Sequence, residues 1–587
     1  MTPQPETTLP VPFFLPIAEA STAANRTGSW STHQPHYQNK TAPCTSRCPC
    51  GEEIPRIEML TARGEYARAW RTILLENPFP GSCGRVCFHP CEDSCNRGEF
   101  DTPIAINALE RFLDDQAKAT GAAIDLTPGA PTGRRIAIAG AGPAGLAAAW
   151  FLALLGHSCE VFEAAPEPGG LLRYGIPAYR LPAAVLAREI GRIESLGVHI
   201  HCSAPVDRAF VEASRSHFDA LFVGCGNGHS LTLDIPGGEL AHDGLAFLRD
   251  CRTQAVAAER AAAAHTALPA AIIGGGNSAI DIARTLLRLG RPAAIIYRRR
   301  RKDMPAFSQE VVRALQEGVQ LIELSAPLAL RPAADHFELT VQRMRPGEPG
   351  ADGRMRVVAV PGETATLAVA AVYTAIGATA APPWVALIQD ETALHFSHSR
   401  LLPASAAGLP VILGGDLVNR EQSVADAIAS GKEAAIALDL LLRKGIETVA
   451  PGIARCRVGE GEALSMEIHQ GGGRANHSRR VVRYPDLVPD YFSPAPAEHG
   501  RTLAPAAATA SFEEVEAALE EERALQQAER CFSCGLCNDC DICRTFCPEV
   551  AIDCASARRI QSEYCKGCGI CLTECPRCAM VMEEAQS

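Results

Sequence analysis

Basic residues are the minority charge in this chain. It carries 55 Lys and Arg against 67 Asp and Glu, a formal net charge of −12 with a pI near 5.8. Nucleic acid and anionic membrane both need a basic footprint, so neither is expected as the main partner. A basic n-region is lacking too. The first basic residue is Arg26 and prolines interrupt the apolar stretch around Phe13, so no secretory leader is expected. One segment, Ile136 to Gly156, is uncharged and long enough to mimic a membrane span. It contains Gly140-Ala-Gly142-Pro-Ala-Gly145, however, so a strand, a turn and a helix are expected there and membrane insertion is not. Apart from two Gly-rich fingerprints and a doubled cysteine ladder, no tandem repeat is present. These absences leave an ordinary globular chain, 587 residues long, 47% hydrophobic and 21% charged. That is enough for three to four domains at roughly 150 residues each.

Cysteine is what the chain has in excess, at 24 residues. Seven lie between Cys44 and Cys95 and twelve between Cys531 and Cys578. Thiols confined to two clusters of a large chain point to metal ligation in a reducing, cytoplasmic setting, not to a disulfide scaffold. The run Cys565-x2-Cys568-x2-Cys571-x3-Cys575-Pro576 has bacterial ferredoxin spacing, and Cys537-x2-Cys540-x2-Cys543-x3-Cys547-Pro548 repeats it. Two-residue gaps let one loop wrap a corner of a cubane, while the Cys before Pro ligates the other cluster. The expected sets are therefore crossed. Cys537, Cys540, Cys543 and Cys575 hold one [4Fe–4S] cluster, and Cys565, Cys568, Cys571 and Cys547 the other. Zinc, which takes pairs from separate knuckles, fits this spacing poorly. Cys531 and Cys534 continue the ladder upstream; with Cys554 and Cys578 they are read as packing thiols.

Arg135-Ile-Ala-Ile-Ala-Gly140-Ala-Gly142-Pro143-Ala144-Gly145 is an apolar strand running into GxGxxG and a helix. The next strand ends in Glu163, where an acid reads a ribose hydroxyl. A second copy, Gly274-Gly275-Gly276-Asn277-Ser278-Ala279, is followed by a strand ending in Arg298-Arg299-Arg300-Arg301-Lys302. Arginines there suit a 2′-phosphate, so NADPH is expected in the second site and FAD in the first. Val411-Ile-Leu-Gly414-Gly415-Asp416 returns the chain to the first fold, with Asp416 able to accept from a ribitol hydroxyl. The helix beginning at Ser423 aims its N-terminus at the flavin. No C-x4-C or C-x2-C adjoins the fingerprints, which disfavours a disulfide-reductase mechanism. Hydride transfer to a flavin needs no named acid or base, so no catalytic side chain is expected.

Gly169-Gly170-Leu171-Leu-Arg-Tyr-Gly-Ile-Pro-Ala-Tyr-Arg180, Gly274 to Asp281, Tyr297 to Pro305 and Gly414-Gly415-Asp416 together resemble the small subunit of NADPH glutamate synthase and its relatives. Those relatives include the flavin half of dihydropyrimidine dehydrogenase and the large subunit of bifurcating NADH-dependent ferredoxin:NADP oxidoreductase. The resemblance spans about Cys44 to Leu442. It implies FAD contacts from Gly142, Glu163, Gly170, Leu171, Arg180, Gly415, Asp416, Gln422, Ser423 and Val424. It implies NADPH contacts from Gly276, Asn277, Arg298, Arg299 and Gly377. It also implies an N-terminal helical iron–sulfur domain. There Cys44, Cys48, Cys87 and Cys91 are the expected ligands of one cluster, Cys95 competes with them, and Cys50 and Cys83 pack. The family's C-x2-C pair upstream of Cys44 is absent.

The expected organisation is an α/β protein with two Rossmann-like domains, preceded by a helical iron–sulfur domain and followed by a bacterial-ferredoxin-like α+β domain. The boundaries are a disordered tail at 1–43, the helical domain at 44–120, and the FAD domain at 130–265 plus 405–445. The NADPH domain follows at 266–404, an irregular linker at 446–511, and a helix with the two-cluster domain at 512–587. The expected function is transfer of electrons between NADP(H) and an iron–sulfur partner, either a ferredoxin or a larger oxidoreductase subunit of the 2-oxoacid type. The alternatives are the glutamate synthase small subunit itself, or a non-catalytic redox sensor.

Overall fold

The computed structural model describes residues 26–584 except 27, 29–30, 228, 254–266, 351–354, 380–384, 386–392, 404–407, 420 and 554–557. Most of the expected tail, and Cys554, lie outside the described residues. Residues 33–41 do not continue a tail. His33–Tyr37 pairs antiparallel with Met580–Glu584, and Lys40–Thr41 pairs parallel with Ser478–Val481.

The first dinucleotide fold is a seven-stranded sheet. Its parallel part runs Val411–Gly414, Ala220–Val223, Arg135–Ala139, Ser158–Phe162, His199–His201, with Ser399–Leu402 and Leu394–His395 added antiparallel at one edge. Ile136 to Ala139 are buried on both faces, which is why this strand reads as unbroken apolar sequence. The second fold is a five-stranded parallel sheet ordered Gln320–Glu323, Ala293–Tyr297, Ala270–Ile273, Ala371–Thr374, His242–Asp243. An antiparallel sheet of Ser325–Pro332, Phe337–Pro349 and Met355–Val369 packs on it through Leu330, Leu339 and Val341.

The N-terminal domain is built on helices Ile54–Ala62, Tyr66–Leu74, Pro80–Val86 and Ile106–Thr120. The apolar pattern of Ile57–Leu75 reads as one helix; Gly64, at φ +71°, breaks it into two. This domain shares a single hydrophobic core with the FAD half. Ile73, Phe79 and Phe112 pack in the same cluster as Trp150, Phe151 and Leu438, and the Trp150 indole donates to the Leu74 carbonyl at 3.2 Å.

Two stretches differ from expectation. The segment 446–511 has helix Val449–Cys456 and puts Val449, Ile453, Met466 and Val482 into that core. Its Arg474 and Ser465 bind the buried Glu76 carboxylate, which also pairs with Lys432. The spacing of Phe512, Val515 and Leu519 predicts a helix over Phe512–Arg530 at the start of the last segment, but the helix is formed only at Glu521–Glu529. Upstream the chain is irregular instead: Val515 N–H donates to the Tyr179 carbonyl and its own carbonyl accepts from Leu503 N–H. Glu514 pairs with Arg85 and Arg111, and Glu516 with Arg313. Bonds to three separate elements outweigh the local helical pattern.

Candidate functional site

The loop after Arg135–Ala139 leads into helix Pro143–Leu154, whose first residue is a proline with Gly142 as N-cap. A Cβ at Gly145 would stand 1.9 Å from the Gly140 carbonyl oxygen, so helix and strand approach more closely than any side chain allows. Gly170, at φ +53°, brings its backbone against Gly142, where a Cβ would come within 2.8 Å of the Gly142 Cα. Gly415 closes the third side, its Cβ position 3.0 Å from the Ala144 Cβ. Glu163 ends the second strand at this cradle, accepting from the N–H groups of Ala141 (2.7 Å) and Ala165 (2.8 Å). Burial and the neighbouring Asp426 carboxylate push Asp416 up to about 6. Ser423 caps helix Val424–Lys444, accepting from Asp426 N–H. Leu171 and Gln422 are exposed at the rim. A helix N-terminus, three converging glycines and an acid on the second strand fit the pyrophosphate and ribose of FAD.

The second site repeats the arrangement. Gly276 is the N-cap of helix Asn277–Arg288 and has open space where its Cβ would be, while Gly275 lies against the Tyr297 ring. Asn277 is turned to the next element, its Oδ1 accepting from Phe307 N–H at 3.0 Å. Ser278 and Ala279 form the first turn, and Gly377 stands at φ +114°. The basic run divides by its partners. Arg299 Nε donates to the Met355 carbonyl at 2.8 Å, and Arg300 Nε pairs with Asp303 at 3.0 Å. Arg298 is exposed. A cavity of about 890 Å³ adjoins the run, lined by Arg300, Arg301, Lys302 and Arg343 among others.

Arg180, expected at the flavin, sits at the seam between the two folds. It makes two bonds to Asp281 (2.9 and 2.7 Å) and lies 3.4 Å from Glu310. Behind it Arg284 and Arg288 share Glu317 and cover the Tyr179 ring. This seam gives no local sequence signal, because its pairs are 26 or more positions apart in the chain.

The C-terminal thiols gather as two crossed sets. Cys537, Cys540, Cys543 and Cys575 line one small cavity, and Cys547, Cys565, Cys568 and Cys571 line another. The two halves repeat in detail: Ala551 N–H points to Cys547 Sγ (3.3 Å) and Ala579 N–H to Cys575 Sγ (3.4 Å). Burial and the neighbouring thiols push Cys571 up to about 12. Thiols held this way stay protonated unless a cationic centre takes their charge, which is what an iron–sulfur cluster supplies.

At the other end, Cys48, Cys87 and Cys91 adjoin one another, and the buried Glu110 carboxylate lies beside Cys48 and Cys87. Cys48 and Cys50 also have ligand atoms within 4.8 Å of Glu52. Cys44, the fourth expected ligand, also adjoins Cys91, and it lies with Cys95 beside Cys531 and Cys534 as well. The sequence pattern alone assigns those last two to packing. Their C-x2-C spacing, identical to the pair absent upstream of Cys44, was the available signal.

Comparison with known proteins agrees with this geometry. Residues 31–122 match the family model for dihydropyrimidine dehydrogenase domain II with its 4Fe-4S cluster. Residues 134–387 match pyridine nucleotide-disulphide oxidoreductase. The chain is 33% identical to NADP(+)-dependent formate dehydrogenase subunit beta of Moorella thermoacetica, over 84% of this chain and 70% of that one. It is 31% identical to the glutamate synthase [NADPH] small chain of Halomonas elongata, over 67% of this chain and 86% of that one. The chain belongs to the glutamate synthase small-chain family. NADPH-Fe(3+) oxidoreductase subunit beta of Geobacter sulfurreducens is 34% identical over 64% of this chain, which spans 56% of that relative. As a member of this family the chain is an NADPH-dependent flavin and iron–sulfur oxidoreductase. Among the described residues no helix is long and apolar enough to cross a membrane.

Proposed function

We propose that this chain is the NADPH-facing electron-transfer subunit of a larger cytoplasmic oxidoreductase, and that its C-terminal lobe delivers electrons to, or receives them from, an iron–sulfur partner. The observation that carries this reading is the gathering of thiols both in the N-terminal domain, which shares its core with the FAD half, and in a C-terminal lobe that exposes Cys540 and Cys568. FAD, when bound, exchanges a hydride with NADPH and single electrons with clusters. The chain's own residues supply the rest. Gly142, Gly170, Gly415 and Glu163 hold and orient one dinucleotide; Gly276, Arg298 and Arg299 hold the other. The Arg180–Asp281 seam sets the distance between the two folds.

At the far end the lobe exposes Cys540 and Cys568 together with Phe546 (46%), Val550 (68%) and Ile570 (38%). Exposed apolar groups beside a cluster site suit transient docking of a partner. A ferredoxin and a larger subunit of the kind named for the formate dehydrogenase and glutamate synthase relatives both meet this description. The test is to replace Phe546 and Val550 by Glu. Dye reduction by NADPH should be unchanged, while reduction of the partner that co-purifies from native extract, or of added ferredoxin, should fall at least tenfold. Equal loss of dye and partner reduction would show that the lobe is not the port. A chain that binds FAD but reduces no dye with NADPH would favour a sensor.

A further inference from the structure

Cys531 and Cys534 belong to the ladder by spacing, but the structure joins them to the other end of the chain. The segment carrying Cys95 is bonded directly to theirs. Asn96 Nδ2 donates to Cys534 Sγ at 3.3 Å and to the Val482 carbonyl at 3.0 Å, and Arg97 Nη1 donates to the Arg530 carbonyl at 2.7 Å. The segment carrying Cys44 docks on the same loop: Lys40 N–H donates to the Gly535 carbonyl at 2.8 Å, three residues before helix Pro43–Arg47 begins. Phe532, between the two cysteines, is 2% exposed and packs on Phe492 and Phe100 at 4.4 and 5.6 Å. The loop is therefore fixed, and both its thiols face the N-terminal domain.

We propose that Cys44, Cys95, Cys531 and Cys534 hold a fourth [4Fe–4S] cluster, with two ligands from each end of the chain, placed between the N-terminal cluster and the ferredoxin-like pair. The proposal rests on reading the chain as a cluster-carrying flavoprotein, and goes beyond it by completing a site whose usual upstream C-x2-C pair this chain lacks.

The electrostatics support the geometry. Cys44 lies within electrostatic reach of Cys95, Cys531 and Cys534; Cys531 of Glu58, Cys534 and Cys95; and Cys534 of Cys95. Each of the six possible pairs is thus close enough to interact. Glu58 adjoins Cys95 and Cys531, is 1% exposed, and has no partner on either carboxylate oxygen among the described residues. A buried, unpartnered carboxyl beside two of these thiols is a poor apolar core but an intelligible lining for a cofactor.

The donor spacing distinguishes a cubane from a single zinc ion. Tetrahedral zinc with bonds of about 2.3 Å draws its sulfurs to about 3.8 Å of one another. Among the described residues, only Cys48, Cys50 and Glu52 form a group of potential ligand atoms all within 4.8 Å. The Cys44 set is wider, as are the two ferredoxin-like sets. Position in the chain then makes the cluster a link. Cys44 and Cys48 are one helical turn apart, about 6 Å along an axis, with Cys48 N–H bonded to the Cys44 carbonyl at 3.0 Å. Cys534 and Cys537 are three residues apart, a reach of at most about 11 Å. Adjacent ligands on adjacent clusters hold the succession close without any further contact.

The test is iron and acid-labile sulfide per FAD in the anaerobically purified full chain. About sixteen irons are expected, with losses of about four in C531S, about four in C95S, and about four again in the double variant C95S/C531S, because both ligate one cubane. Twelve irons in the wild type and none lost in C531S would overturn the proposal, as would additive loss of eight in the double variant, or twelve irons with one zinc. Should the variants misfold, alkylation of the wild type decides. Cys44, Cys95, Cys531 and Cys534 should be protected in iron-loaded protein and become reactive together after chelation. Alkylation of Cys531 and Cys534 in the iron-loaded chain would overturn the assignment. A chain with FAD but no iron at all would instead remove the cluster reading on which the proposal rests.

Discussion

Nucleotide selectivity should depend on individual members of the basic run in unequal measure. Arg300 is paired with Asp303, whose carboxyl is held below its ordinary range chiefly by the Arg300 hydrogen bond. That guanidinium has its counter-charge already. Arg298 is exposed at the end of strand Ala293–Tyr297, where the 2′-phosphate of NADPH is read. Arg299 is steadied by the Met355 carbonyl through Nε. Loss of one charge-assisted hydrogen bond is worth about 1.5–3 kcal/mol, or roughly ten- to a hundredfold in affinity. Arg298→Ala should therefore weaken NADPH by that factor and leave NADH within about twofold. Arg300→Ala should change the NADPH/NADH ratio by less than about threefold, since it removes a neutralised pair. Raising salt from 0.1 to 1 M shortens the Debye length from about 10 to 3 Å, so the wild-type preference should shrink. Titration of flavin-loaded protein with the oxidised nucleotides, followed by fluorescence, measures all of these without turnover. Equal weakening of both nucleotides by Arg298→Ala, or a larger effect from Arg300→Ala, would refute this division of the run.

Three further outcomes follow from packing and charge. Truncation after Ala510 should yield insoluble or FAD-free protein: residues 511–587 bury Leu519 and Phe532 in the shared core, at about 1.5–3 kcal/mol each, against a total stability of about 5–15 kcal/mol; FAD content and solubility check it. Asp101→Asn should loosen the C-terminal dock by about 1–3 kcal/mol, because the buried Arg97 and Arg530 guanidiniums lose a charge-assisted, partly exposed partner, and should show as new proteolytic cleavage between residues 495 and 534. Burial opposes ionisation of Asp101, but Arg97 and the N–H groups of Ala495 and Thr102 outweigh it and hold the carboxyl low. In the wild type this contribution is therefore complete above the ordinary value of 3.8 and is lost only as pH falls through the lower folded value. Gly431→Ala should reduce FAD retention and cost about 1–3 kcal/mol in thermal stability, since its Cβ would lie 2.3 Å from the Ala144 carbonyl oxygen and push helix Val424–Lys444 off the cradle helix.

What was legible in the sequence was local. Gly140 to Glu163 and the two x3-Cys-Pro ladders each carry their whole pattern within about thirty residues, so period and spacing reveal them. The stretch 446–511 gave no periodicity because each of its short elements contributes only one or two core side chains, Ile453 here and Val482 there, while its order comes from Arg474 and Ser465 closing on Glu76. The helix over Phe512–Arg530 was misread for the opposite reason. Phe512, Val515 and Leu519 have helical spacing, yet Glu514 and Glu516 are claimed by arginines on three other elements.

The thiols show the same limit most sharply. Spacing assigns a cysteine to a cluster only when its partners are nearby in sequence. Cys44 and Cys48 are four residues apart and look like co-ligands, and both adjoin Cys91, but Cys44 also lies beside Cys95, Cys531 and Cys534. Cys95 and Cys531 are over 400 residues apart and look unrelated, but Asn96 and Arg97 bond the loop that holds Cys531 and Cys534. A pair can thus be missing from its usual place in the sequence and present in its place in the fold. Where that occurs, the two ends of the chain become one electron path. A detachable C-terminal lobe is then the wrong picture, because undocking it would remove half the ligands of a cluster in the middle of the path.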